Sequence, residues 1–269
     1  MPSFSRLRRN FGAIGFVLVL LLAVTFLPPD NSLHEAQASG SISVCVPTSY
    51  PPLVTGDDSQ PGIDVEILKA VTSKLGVGLS LNTNDAIGRD INPRNWGLNR
   101  AQCLIIAGGV VDSTQTRSFL ETSPSYAETG WAIISPQPIG DLKGLTIGVL
   151  TLVSGLDRIG LSTYLRNSGA KFQVVRSPEE LVAGIAQHQF DAGITEALLA
   201  GRLATDNKWA GAWMPPQLVR YNLVFGLWKG DLTLKRAIDQ AFADLTADGT
   251  IGKILARYAG TPLTESRSP

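Results

Sequence analysis

The amino-acid sequence predicts an α/β protein of two lobes, each a mostly parallel sheet flanked by helices. Three observations carry that expectation. Strand-like apolar runs alternate with helix-like segments from Ile42 onward. A second alternation of the same kind starts at Leu145. Two further apolar runs, Trp131 to Ile134 and Leu223 to Trp228, flank that second block and would serve as extended crossings between lobes. Alternation of strand and helix is the mark of right-handed βαβ units around a mostly parallel sheet.

Taken in order, the first forty residues read as lying outside the fold. Arg6, Arg8 and Arg9 form a basic start, Phe11 to Leu27 is an apolar run, and Ala36-Gln37-Ala38 is a small-x-small pattern. This is the layout of an export signal, residues 1–38, cut after Ala38. The stretch Pro28 to Glu35 is long for such a signal, and the apolar run approaches the length of a bilayer core, so an uncleaved membrane anchor is the alternative. The remaining chain of about 230 residues suffices for two modest lobes or one large domain.

In the first block, Ile42 to Val46 is a short buried strand ended by Pro47. Asp64 to Leu75 is a helix, with Leu68, Val71 and Leu75 at helical spacing and Gly76 stopping it. Leu79 to Leu81 and Cys103 to Ala107 are the next strands. In the second block Leu145 to Leu150 is a strand, Leu156 to Asn167 a helix, and Phe172 to Val175 a strand. Ser177 reads as the N-cap of a helix that opens on Pro178 and runs to about Ala186. Phe190 to Ile194 is a strand and Glu196 to Ala204 a helix. Two amphipathic helices close the chain, broken at Asp248-Gly249. The expected division is therefore a first lobe over 41–133, a second over 134–222, a return to the first over 223–262, and a tail over 263–269.

Composition narrows the function. Basic and acidic side chains number 23 each, and no basic stripe invites nucleic acid. No second apolar run could span a membrane. The two histidines and two cysteines form no cluster of metal-ligating spacing. Cys45 and Cys103 both lie in apolar strand-like runs. They are either separate buried thiols or a disulfide. The βαβ reading makes their strands neighbours, about 4.8 Å apart, which is within disulfide reach.

The stretch richest in chemistry runs from Ala107 to Tyr126. An apolar run meets two glycines and then a polar loop that leads to Arg117. Strand, glycine turn and fixed cation suit a ligand site at the carboxyl end of a buried strand. A guanidinium grips a carboxylate through two parallel hydrogen bonds. The alternative is that Arg117 only pairs with Asp112 or Glu121 on a solvated loop.

Five segments carry a family resemblance in order and spacing. They are S-Y-P-P-L (Ser49 to Leu53) with G-I-D-V-E (Gly62 to Glu66), T-Q-T-R (Thr114 to Arg117) with S-P-S-Y, and D-L-K-G-L-T-I-G-V (Asp141 to Val149). F-D-A-G-I-T-E (Phe190 to Glu196) and the run from Lys229 to Ile254 complete the set. Together they resemble extracellular solute-binding protein family 3, the periplasmic proteins that bind polar amino acids for ABC transporters.

The resemblance implies a two-lobed periplasmic-binding-protein fold and a periplasmic monomer with no catalytic residues, no metal and no cofactor. It implies an amino-acid-like zwitterion as ligand and a membrane permease as partner. Arg117 matches the arginine that clamps the ligand's α-carboxylate, within the motif that Thr114 opens. Ser154 matches a hydroxyl at a helix N-terminus facing the same carboxylate, where free N–H groups favour an anion. Glu196 stands where the family usually has an aspartate for the α-ammonium, and Tyr50 matches a ring that packs on the ligand's side chain. Asp112 departs from the pattern, occupying a place usually held by a hydroxyl or backbone donor; facing the pocket, it would favour a cationic or strongly polar side chain. L-V-S (Leu152 to Ser154) replaces a G-T-T, and the segment between Asn82 and Gln102 is longer and more polar than the family's. That segment and both cysteines also resemble binding proteins associated with quinoprotein dehydrogenases. Two rival functions follow: an exported dehydratase-like enzyme using Glu196 as acid or base, and an accessory or sensory subunit, tethered by its leader or bound to a redox enzyme.

Overall fold

The architecture is that of a computed structural model in which residues 15–19, 30–87, 92–151 and 156–265 are described. The chain divides into Met1–Asn31 and a larger unit, Ser32–Pro269, which holds everything below. Among the described residues, no helix is long and apolar enough to cross a membrane.

The first sheet has the order β2-β1-β3-β12-β4. Here β1 is Ser41–Val46, β2 Gly78–Thr83, β3 Ile105–Ile106, β4 Leu120–Thr122 and β12 Gly226–Trp228. Strand β1 pairs in parallel with β2 and β3, whereas β12 runs antiparallel to β3 and β4. The second sheet has the order β10-β6-β9-β7-β8. Its strands are β6 (Trp131–Ser135), β7 (Thr146–Leu150), β8 (Lys171–Val175), β9 (Ala192–Glu196) and β10 (Ala210–Trp213). Parallel pairs β7·β8 and β7·β9 form one side, and β6 and β10 add antiparallel strands. Two sheets flanked by helices make the two-lobed fold expected from the alternation.

The helices form where pattern and capping agree. Helix α2 (Ile63–Lys74) buries Ile63, Ile67, Leu68 and Val71 on one face. It starts after Gly62, whose φ of 104° and backbone contact with Leu53 leave no room for a Cβ. Helix α3 is Thr114–Phe119 and α4 is Arg158–Asn167. Helix α5 (Pro178–Ala186) is capped as the sequence predicts: Glu180 N donates to Ser177 Oγ at 3.1 Å, with proline at the first turn. Helix α6 is Ala197–Asn207, and α7 (Leu232–Ala247) and α8 (Thr250–Tyr258) end the fold, separated at Asp248-Gly249.

Three expectations need correction. Of the apolar runs read as crossings, Trp131 to Ile134 lies within the second sheet as β6, whereas Leu223 to Trp228 starts in the crossing ribbon and ends in the first sheet as β12. The actual crossing ribbon is shorter: β5 (Ala127–Thr129) pairs antiparallel with β11 (Tyr221–Leu223). Apolar runs are drawn into sheets because their side chains are buried there; a three-residue ribbon needs no such run. Next, only the centre of Cys103 to Ala107 forms a strand, although Leu104 N and Ala107 N still bond to Ser43 O and Cys45 O of β1. Finally, the first forty residues do not all lie outside the fold. Ser32–Ser39 forms helix α1, with Ser32 and Ala36 buried against the body.

Cys45 and Cys103 form a disulfide with Cα atoms 5.5 Å apart. The ladder sets Cys45 opposite Ile106, so the bond reaches Cys103 because that residue stands outside the strand. Around the disulfide, Ile87, Trp96, Leu98 and Val110 build a small satellite core. The described parts of the polar 82–102 segment, 82–87 and 92–102, are thus anchored by a few buried apolar side chains. The main core is continuous from Tyr50, Leu53 and Phe225 in the first lobe to Ile147, Val149 and Ile194 in the second.

Candidate functional site

The site is built where the loops after β1 and β3 meet the end of β9. Gly108 and Gly109 follow β3 with φ of 95° and 84°, a conformation that turns both N–H groups toward one point. Asp64, in the first turn of α2 and fully buried, fills that point. Its Oδ2 accepts from Gly108 N at 2.7 Å and Gly109 N at 3.3 Å, and its Oδ1 accepts from the Tyr126 hydroxyl at 2.6 Å. Tyr126 stacks on Phe225, ring centres 5.0 Å apart. The Tyr50 ring packs so closely on Gly109 that a Cβ there would strike it.

Glu196 comes from the second lobe. It ends β9 and caps α6, accepting from Leu198 N and Leu199 N at 3.0 Å each; its Oε1 also accepts from Thr129 Oγ1 at 2.5 Å. Thr129 ends the crossing strand β5, so this carboxylate is bound to the hinge as well as to its own helix.

The two lobes meet electrostatically at this cluster. Burial pushes Tyr50 well above the ordinary phenol range, reinforced by Glu196 and Asp64 and opposed by Arg158. Tyr126 is raised by burial and then by Asp64. Burial likewise raises Glu196 against the bonds from Leu198, Thr129 and Leu199. Asp64 is pushed up to about 6 by burial, which outweighs its three hydrogen bonds. Among the described residues, the buried Tyr50 hydroxyl has no hydrogen-bond partner. The charged groups acting on it are Glu196 and Asp64, offset in part by Arg158, so the balance is negative and a donor such as an ammonium is the complementary occupant.

The raised Asp64 pKa has a measurable consequence. Below about 4 both folded and unfolded chains carry this group neutral; between about 4 and 6 only the unfolded chain is ionised. The native state then binds more protons, so Asp64's contribution to stability is full below its unfolded pKa and lost as pH rises through about 6. A shift of two units corresponds to about 3 kcal/mol. Urea unfolding of wild type is expected to show this decline, and Asp64→Asn to flatten it. Parallel curves for the two proteins over that range would overturn the assignment.

The other residues singled out in the sequence are placed as follows. Arg117, in α3, pairs with Asp112 through two hydrogen bonds, from Nε and Nη2 to the two carboxylate oxygens. Its side chain is 66% exposed and that of Asp112 13%. This is the pairing weighed above as the alternative for Arg117. It leaves the Nη1–Nη2 edge of the guanidinium without a partner among the described residues. Thr114 opens α3 and is exposed. Ser154 lies outside the described residues. Tyr50 and Glu196 are therefore close enough to influence each other, and Arg117 pairs with Asp112; among the described residues no hydrogen bond joins the two pairs.

Asp64, Tyr126 and Thr129 were not singled out from the sequence. Two signals were available: Asp64 and Tyr126 stand inside the motifs G-I-D-V-E and S-P-S-Y, and Asp64 is an acid at a helix position whose neighbours on the same face are apolar. Among the described residues no group of His, Cys, Asp and Glu could hold a metal ion. A surface cavity of about 300 Å³ lies between α6 and residues 255–263, and none of the candidate ligand residues lines it.

Comparison with known proteins agrees with this architecture. The family model for bacterial extracellular solute-binding proteins, family 3, matches residues 42–261. Solved structures similar in fold include an ancestral cationic amino acid solute-binding protein, AncCDT-1, at 18% identity. Its TM-score is 0.69, covering 84% of this chain and 99% of that one. A second structure of AncCDT-1, described as a precursor of cyclohexadienyl dehydratase, matches at 17% identity and a TM-score of 0.61, covering 84% and 98%. An ancestral arginine-binding protein bound to arginine is 21% identical with a TM-score of 0.61, covering 82% and 99%. The second substrate-binding domain of a putative amino acid ABC transporter from Streptococcus pneumoniae is 18% identical with a TM-score of 0.63, covering 81% and 100%. With the family model spanning both lobes, the chain belongs to the bacterial extracellular solute-binding proteins, family 3.

Proposed function

We propose that the protein captures a small zwitterion, an α-amino acid or close analogue, outside the cytoplasm and delivers it to an ABC transporter without chemistry of its own. The observation that carries this reading is the buried Tyr50 hydroxyl, unpartnered among the described residues and under the electrostatic influence of Asp64 from one lobe and Glu196 from the other. An ammonium donating to Tyr50 and Glu196 would contact both lobes at once. Closure follows from such contacts because they exist only when the lobes are together. The carboxylate is assigned to the open Nη1–Nη2 edge of Arg117 and to Ser154. Asp112, holding the opposite edge, fixes the guanidinium plane and lowers the net positive charge offered to an anion. Acidic amino acids are therefore the least favoured ligands. The transporter of the fold relative from Streptococcus pneumoniae supports the delivery role, and the family description supports an extracellular location.

Calorimetry against the twenty amino acids tests the reading. Arg117→Ala is expected to weaken binding at least about tenfold, since a charge-assisted hydrogen bond contributes roughly 1.5 to 3 kcal/mol. If no amino acid binds, or if Arg117→Ala binds like wild type, the assignment fails. Mass spectrometry of the bound fraction is expected to return the ligand unchanged. A dehydrated product would instead favour the dehydratase-like reading, for which the raised pKa of buried Glu196 would suit a general acid.

A further inference from the structure

Helix α1 carries an inference about processing. It is joined to α7 by reciprocal capping. Leu33 N donates to Thr233 Oγ1 at 3.2 Å, Leu234 N donates to Ser32 Oγ at 3.2 Å, and the two hydroxyls lie 3.0 Å apart. Asp231, the N-cap residue of α7, makes no side-chain capping bond of its own. Its carboxylate is held instead by Arg100 Nε at 2.8 and 3.0 Å, and Arg100 Nη2 reaches Glu35 of α1 at 2.8 Å. Ser32 thus satisfies an N–H at the start of α7 that the helix's own cap leaves open. Ser32 and Ala36 are each only 1% exposed. Every α1 residue in these contacts, Ser32, Leu33 and Glu35, lies on the N-terminal side of the Ala38–Ser39 bond.

We infer that α1 stays with the exported protein, and that any hydrolysis of the leader falls N-terminal to Ser32 rather than after Ala38. A cut after Ala38 would strip α7 of its cap, empty the place of Ala36 against the body, and leave Arg100 without Glu35. The Ala36-Gln37-Ala38 pattern is then a coincidence of helix composition: a small residue at the buried position 36, with exposed Gln37 and Ala38 facing solvent.

The full-length chain, expressed with its leader in an exporting host, tests this. Intact mass is expected to give an N-terminus at or before Ser32, or the uncut chain. Ala38→Lys is the decisive variant. Its position is exposed, so α1 is unharmed, yet lysine replaces the small residue that leader cleavage requires immediately before the cut. The variant is expected to be processed as wild type. A wild-type N-terminus at Ser39, or loss of processing in Ala38→Lys, would overturn the inference. Ser32→Ala checks the docking itself: a drop in Tm of about 2 to 4 °C is expected for a lost cap in a chain of this size. An unchanged Tm would remove α1 from the fold and with it the reason to retain it.

Discussion

Replacing both Cys45 and Cys103 by serine is expected to lower the stability of the first lobe by about 4 kcal/mol. The two residues are 58 apart in sequence. In the chain-entropy model, cross-linking a loop of that length removes about that much freedom from the unfolded chain. The folded state also depends on the bond. The disulfide lies in the satellite core with Trp96, Leu98 and Ile87, the few apolar side chains that anchor the long 82–102 segment. The double variant, or wild type under reductant, should therefore unfold at a lower urea concentration. Alkylation of unfolded, unreduced wild type should label neither cysteine. A double variant with the midpoint of oxidised wild type would rule out a stabilising bond.

Glu196→Ala is expected to act on both stability and ligand binding. Truncation removes the acceptor for Leu198 N, Leu199 N and the Thr129 hydroxyl together. Losing an N-cap costs about 0.5 to 2 kcal/mol, and a stranded buried donor costs a further 1 to 3 kcal/mol. Binding of an amino acid should fall at least about tenfold, by the loss of one charge-assisted bond. Glu196→Gln separates the two roles. Its amide oxygen can still accept from Leu198 N and Thr129, so much of the cap survives, while the negative charge is gone. If the carboxylate receives an ammonium, Gln binds nearly as weakly as Ala. If calorimetry finds Gln equal to wild type, Glu196 is only a helix cap and the ligand's ammonium is held elsewhere.

The sequence by itself determined the layout. Periodicity and breakers located β1, α2, the β7 to α6 alternation and the two closing helices within a few residues, because each is specified by neighbours close in the chain. Ser177 before Pro178 marked a helix start for the same reason, since a cap bonds a residue three positions on. Two cysteines in runs read as neighbouring strands were enough to expect the bond between them, although Cys103 stands just outside β3.

Tertiary structure decided what depends on partners far apart in the chain. Whether the runs from Trp131 and from Leu223 cross or join sheets depends on strand pairing: Leu223 ends the ribbon strand β11, whereas Trp131 pairs within the second sheet. Asp64 became a site residue only when Gly108, Gly109 and Tyr126, more than forty positions away, turned their donors onto it. Helix α1 resembled part of a leader until Thr233 and Arg100, far from it in the chain, supplied its contacts. Local pattern specifies elements because the interactions that make them span a few residues; burial and hydrogen-bond partnership across the fold assign them their work.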